Sequence, residues 1–370
     1  MYVENGKISS RQTFRLYVFD LMGIATLLLP PYLAKLCGCD GIWAILIGSG
    51  LGLGYLFYLG WIMKRMGKDM IAYLSERKSK WISKLVFFLV GVHGILTAGF
   101  CAHIFAKLMM HSLIQEASYG TILLVLVVTA AYAVSGGIEC RARVYEVLFW
   151  FILVPYVAMM LASIRNFESV YVQDFFVTDP LNVGKGIYLV FLLLTPLFFS
   201  LFLIGEKERN YGSSMIKTVS VAVILTAVIL LGSYVLLLGN FGVNSLSTMD
   251  FPVVTIMSTI QFKGNFLKRM DALMVAVWFF TLFALLNLHL HYGVKMAQEL
   301  FPGKKKEKSG RRKILYSVLP AGAVYVVAMW LHGTQQGVPL FLDYYSYVAV
   351  PLMIVGPVFI LIGKRRGKVA

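Results

Sequence analysis

Apolar runs long enough to cross a lipid bilayer recur along the whole chain, and no other feature constrains its fold so strongly. A hydrocarbon core of ~30 Å takes about 20 helical residues. Stretches such as "FFLVGVHGILTAGFCAHIFAKLMM" (87–110) and "VSVAVILTAVILLGSYVLLLG" (219–239) reach that length. Ten segments read as spans: 12–36, 41–63, 84–112, 119–136, 142–164, 184–206, 214–239, 271–300, 313–332 and 344–363. The first begins after a basic polar stretch and runs into Pro30-Pro31, which reads as a span rather than a cleavable leader. A membrane barrel would be written in short alternating strands instead, so the expected fold is an all-α polytopic membrane protein.

Composition matters here because of where the charges fall. Only 14% of residues are charged, against roughly a quarter in a soluble domain, yet the net charge is +16. With both termini cytoplasmic, the cytoplasmic loops and nearest helix ends collect all but seven of the 34 lysines and arginines. The seven are Lys35, Lys107, Arg165, Lys185, Lys263, Lys268 and Arg269. The bias of Lys and Arg toward cytoplasmic loops accounts for the basic balance, with no nucleic-acid partner needed. The bilayer itself, including anionic headgroups, is the expected partner of these charges.

The inner loops are short and hold no soluble catalytic domain, and the phosphate-binding pattern GxxxxGK[ST] is absent. No nucleophile–base or metal constellation is visible, so neither an enzyme nor a cofactor is expected. His289 and His291 are about 200° apart on a helix and cannot chelate one ion together. Cys37 and Cys39 fall in one short loop, where a disulfide would be strained. On the outer side, 251–262 is half apolar and too short to span, which suits a helix lying over the outer surface as a lid.

Two segments carry helix breakers near mid-depth. "FDLMGIATLLLPPY" (19–32) holds Gly23 with Pro30 two turns later, and "GKGIYLVFLLLTPLFFSLFLIGE" (184–206) holds Thr195-Pro196. A break in lipid leaves backbone groups unpaired at several kcal/mol each, so it persists only where protein or a wet cavity covers it. Transporters place such breaks in matching helices of two inverted halves, around a central ligand. Simple kinking of packed helices is the plainer reading.

The resemblance that enters here runs almost end to end. "KISSRQ" (7–12), "GIATLLLP" (23–30), "GCDGIWAILIGS" (38–49), "GGIECRARVYEVLF" (136–149), "FPVVTIM" (251–257), "FLKRMDALMVAVW" (266–278) and "YYSYVAVPLMIVGPVFIL" (344–361) occur in an order and spacing that resemble the spore germinant-receptor B subunits. That spore permease family lies within the amino acid–polyamine–organocation superfamily. The resemblance implies a LeuT-like 5+5 inverted repeat with broken first and sixth helices. It makes residues 1–370 one membrane domain, with repeats over about 12–164 and 184–363. It also implies a role in sensing a small germinant in the spore inner membrane, beside an A subunit and a C lipoprotein. A proton- or sodium-coupled amino acid permease is the alternative.

On this reading the candidate ligand-binding residues are Asp20, Met22, Gly23, Ile24, Ala25, Thr26, His93, Thr195, Pro196 and Phe199. Asp20, ~13 Å into the membrane at 1.5 Å per residue, could hold a ligand amine or a proton, or pair with a basic residue of a neighbouring helix. Arg143 and Glu146, three apart, are expected to form a local ion pair that sets packing or gating. Arg269, Asp271 and Asn287 are further gating or structural candidates, Asn287 sharing a polar face with His291. His93 and His103 lie on roughly one face of a segment rich in small residues, and "GSGLGLG" (48–54) reads as a close-packing surface.

Overall fold

In lipid a backbone must pair its own polar groups, and helix is the state in which a single segment does so. The computed structural model is built accordingly; it describes residues 8–76, 79–114, 116–203, 213–259, 270–302, 310–334 and 336–362. In chain order the helices are α1 (Ser10–Cys37), α2 (Gly41–Met66), α3 (Met70–Ser75), α4 (Lys80–Ser112), α5 (Tyr119–Ser135), α6 (Gly137–Ser163) and α7 (Pro180–Leu193). They continue with α8 (Ser200–Leu203), α9 (Ser213–Leu246), α10 (Pro252–Thr259), α11 (Met270–Leu300), α12 (Gly310–Thr334), α13 (Gly337–Tyr344) and α14 (Val350–Ile362). Among the described residues, eight helical stretches are long and apolar enough to cross a membrane. One of them, Ser10–Met66, holds both α1 and α2, joined by a short 3₁₀ turn at Gly38–Asp40, while α5 is a shorter apolar helix. The chain is an integral membrane protein.

Helix α1 runs through the middle of the bundle, with every residue from Leu16 to Pro31 buried. It packs on α9, α11, α7 and α6, and α4 lies along α11 in the most extensive helix pair. Small residues set these distances. A Cβ on Gly94 of α4 would stand 2.8 Å from the carbonyl oxygen of His289 in α11, so only glycine lets the two backbones approach so closely. In the "GSGLGLG" run, Gly48 and Gly52 press on Val190 of α7 and Leu194 just past its end, while Gly50 and Gly54 face open space. Half of that motif is a packing surface.

The expected break in the first helix is not there. α1 is one helix of 28 residues through Gly23 and through Pro30-Pro31. The physical reason is a contact: a Cβ on Gly23 would lie 3.0 Å from the carbonyl carbon of Thr281 in α11, so the glycine admits a neighbouring backbone rather than releasing its own. The expected break in the sixth segment is present. α7 stops at Leu193, residues Thr195–Phe199 form a 3₁₀ turn, and α8 resumes at Ser200. Pro196 supplies no N–H and its ring would clash within a regular helix. The short helix expected within 251–262 is present as α10, whose Val253, Ile256 and Met257 are buried where it packs on α9, α11 and α1.

Candidate functional site

The 3₁₀ turn at Thr195–Phe199 is wholly buried, so its displaced carbonyls need donors. Two hydroxyls supply them locally: Thr195 Oγ1 donates to Leu192 O at 2.8 Å and Ser200 Oγ to Leu197 O at 2.6 Å. The turn ends on Phe199, which stacks on Tyr292 (centroids 4.5 Å apart, 5° between planes) and meets the edge of His289 at 5.1 Å. His93 of α4 completes the group, 6.3 Å from Phe199 and 5.8 Å from His289. Tyr344 and Tyr345, where α13 passes into a single π-helical turn (Tyr345–Ala349), pack on the other side of His93. Such π turns often occur at functional positions.

The imidazoles are only half satisfied. His289 Nδ1 donates to Leu285 O at 2.9 Å, which leaves Nε2 as a lone-pair acceptor. His93 Nδ1 meets the Tyr344 hydroxyl at 3.0 Å. The Nε2 atoms of both rings are buried without a hydrogen-bond partner. An unmet buried polar atom costs about 1–3 kcal/mol, and two of those found among the described residues stand beside the 3₁₀ turn.

Of the sequence-derived ligand candidates, His93, Thr195, Pro196 and Phe199 come together here. The α1 candidates do not join them as a cavity. Met22 O accepts from Thr26 Oγ1 at 2.9 Å, and the Trp278 indole N–H donates to the same hydroxyl at 3.2 Å. Gly23 is closed by Thr281, and Met22 and Ala25 are packed core. Ile24 borders a narrow apolar cavity of about 20 Å³ with Phe100 and Phe341. Since α1 is unbroken, its backbone N–H groups at 22–26 and C=O groups at 22–25 stay within the helix, while the Thr26 and Leu27 carbonyls face Pro30 and Pro31, which have no N–H to donate.

Asp20 takes the neighbouring-helix partner. Its carboxylate is paired with Arg141 of α6, the two side chains 3% and 7% exposed. Arg141 also donates to Ala284 O of α11 at 3.0 Å and stands over the Tyr145 ring at 5.6 Å. The pair therefore ties α1, α6 and α11 together in the half of the bundle where α1 begins. Arg141 was missed in the sequence because it reads as one more basic residue at a helix end. The signal available was Asp20 itself, since a buried carboxylate needs a cation.

The expected Arg143–Glu146 pair is absent. Arg143 pairs with Glu139 one turn earlier, the favourable i,i+4 arrangement, while Glu146 turns toward α1. There it holds Arg11 at 2.8 Å, Arg15 at 3.3 Å and the Gln12 amide at 2.9 Å. Gln12 also forms a capping box with Ser9, so "SSRQ" both starts α1 and docks it on α6. Asn287 is buried, its amide donating to Phe283 O at 3.0 Å and its Oδ1 unpartnered. His291, one turn on, is buried with a free Nε2. His103 sits apart from His93, bonded to the Tyr119 hydroxyl at 2.8 Å. Arg269 and the side chain of Asp271 lie outside the described residues. The four cysteines are free thiols.

Above this group, at the end where α1 stops and α13 starts, a vestibule of about 370 Å³ opens between α1, α4 and the 247–251 turn. The stacked rings of Phe100 and Phe341, 3.6 Å between centroids, lie beneath it.

A buried helix interrupted at Thr195–Phe199 within a long helical bundle is a feature that transporter folds share. The substrate-bound, outward-open structure of a Na⁺-coupled sialic acid symporter superposes with a TM-score of 0.63 at 11% identity, covering 94% of this chain and 77% of the other. The fold is thus all-helical and LeuT-like. The sequence profile of the spore germination protein family matches residues 7–336, and the chain belongs to that family. Curated relatives from Bacillus subtilis (strain 168) include spore germination protein A2, 20% identical with 97% of each chain covered. Spore germination protein B2 is 22% identical over 74% of each, and spore germination protein KB is 23% identical over 99% of this chain and 98% of the relative.

Proposed function

We propose that the chain is the membrane-embedded B-type subunit of a spore germinant receptor, binding a small amino-acid-like solute at the 3₁₀ break between α7 and α8. One observation carries the reading: the His93 and His289 rings, 5.8 Å apart by centroid, each bury an unpartnered Nε2 atom beside the 3₁₀ interruption between α7 and α8. A ligand amine or hydroxyl would donate to His289, whose tautomer is fixed by Leu285 O. Occupancy would favour one of two bundle states. A ligand that prefers one state 100-fold supplies about 2.7 kcal/mol, enough to swing a balanced equilibrium. Receptor action needs only that bias, passed to an A subunit and a C lipoprotein, with both termini on the cytoplasmic side of the spore inner membrane. A coupled permease would have to complete alternating access as well. The chain is no enzyme on this reading.

The test is germination of spores carrying His289→Phe or His93→Phe, scored over a panel of the twenty amino acids, beside radiolabelled uptake by vesicles containing the full chain. The expected result is a dose–response shifted at least tenfold for the active amino acid, without gradient-driven accumulation. Normal germination of a deletion strain together with accumulation against a gradient would replace the receptor by the permease.

A further inference from the structure

The vestibule gathers charged side chains. Only seven of 34 basic residues are assigned by sequence to the outer side, yet two of them, Lys35 at the end of α1 and Lys107 near the end of α4, line this one cavity. His111, Asp250 and Tyr32 share the lining. Neither lysine forms a salt bridge among the described residues. Two lysines lining one concave space of about 370 Å³ make a field that a flat surface would not. Below, Leu28, Tyr32 and Val338 border both the vestibule and the narrow apolar cavity that Phe100 and Phe341 line. A solute held above would stand at the mouth of a path toward the centre.

We infer that this vestibule is a second binding site, one that takes small carboxylates, with Lys35 and Lys107 receiving the carboxylate and Asp250 receiving an amine where the solute has one. Its lining carries two fixed positive charges against one negative, so net-anionic solutes are favoured over neutral ones and cationic ones are turned away. Such a site stands whether or not a solute binds at the 3₁₀ break. It would raise the local concentration of carboxylates and set charge selectivity before any contact with His93 or His289.

The experiment reads the field directly. In the full-length protein, Cys140, the exposed thiol, is changed by Cys140→Ser and a reporter thiol is placed on the vestibule rim by Thr248→Cys. Modification rates by an anionic sulfonate methanethiosulfonate and a cationic trimethylammonium one are each divided by the rate with free cysteine. At about 10 mM salt, where the screening length is about 30 Å, the anionic reagent is expected to be favoured by about tenfold. The ratio falls toward one in Lys35→Gln/Lys107→Gln, survives in Lys107→Arg, and L-glutamate protects the thiol better than L-lysine. Should the double variant fail to fold, the same decision comes from salt: the bias must collapse by about 0.5 M with both lysines intact. A ratio near one at low salt, a bias that survives neutralisation or salt, or equal protection by both amino acids overturns the site. None of these readouts depends on occupancy of the central site.

Discussion

Removing Asp20 should destabilise the protein far more than removing both members of its pair. The Arg141 guanidinium is 7% exposed and its partner 3%, so Asp20→Leu strands a buried cation with only the Ala284 carbonyl and the Tyr145 ring beside it. Breaking a buried pair from one side costs about 3–5 kcal/mol, because the remaining charge is left uncompensated. Arg141→Met strands the carboxylate in the same way. Replacing both by apolar groups of similar volume removes two desolvation penalties with the one attraction and is often neutral or better. Equilibrium unfolding of the four proteins in mixed micelles gives the cycle. The expected coupling is several kcal/mol, with the double variant within about 1 kcal/mol of the parent. Single variants each losing under about 1 kcal/mol, or a double variant losing their sum, would refute a buried pair that ties α1, α6 and α11.

Gly23→Val should force α1 away from the Thr281 backbone, at a cost of about 1–3 kcal/mol seen as a lower melting temperature; an unchanged value would mean that the contact is loose. Glu146→Gln removes the negative charge shared by Arg11 and Arg15, and limited proteolysis near Ser9 should speed up severalfold while the bundle stays folded. Asp40→Ala leaves the N–H groups of Phe176 and Thr178 without their carboxylate acceptor, so the 173–178 turn should become protease-sensitive, and resistance equal to the parent would discount that tether.

Much of the fold could be read from residue order. Apolar run length placed the spans, and Pro196 placed the break between α7 and α8, because both act through the local backbone. The first-helix break was misread because glycine has two uses, and only the partner helix decides between them: Gly23 admits Thr281. The pairing of charges was out of reach for a similar reason. Arg141 and Arg143 are two residues apart and so point to different sides of α6; packing against α1, invisible in the sequence, sends Arg141 inward to Asp20 and leaves Arg143 to Glu139. His93 was legible as a polar residue on a small-residue face. That His289 would meet it, rather than pair along its own helix with His291, depends on the close approach at Gly94.

The central claim is that a solute sits at the 3₁₀ break beside the two imidazoles. A diazirine-bearing analogue of whichever amino acid triggers germination, photolysed with the full chain in membranes and mapped by peptide mass spectrometry, tests it most directly. Label on residues 195–199, or on the α4 and α11 peptides holding His93 and His289, competed away by the parent amino acid, is the predicted result. Competable label confined to other helices, with none on these three peptides, would contradict it.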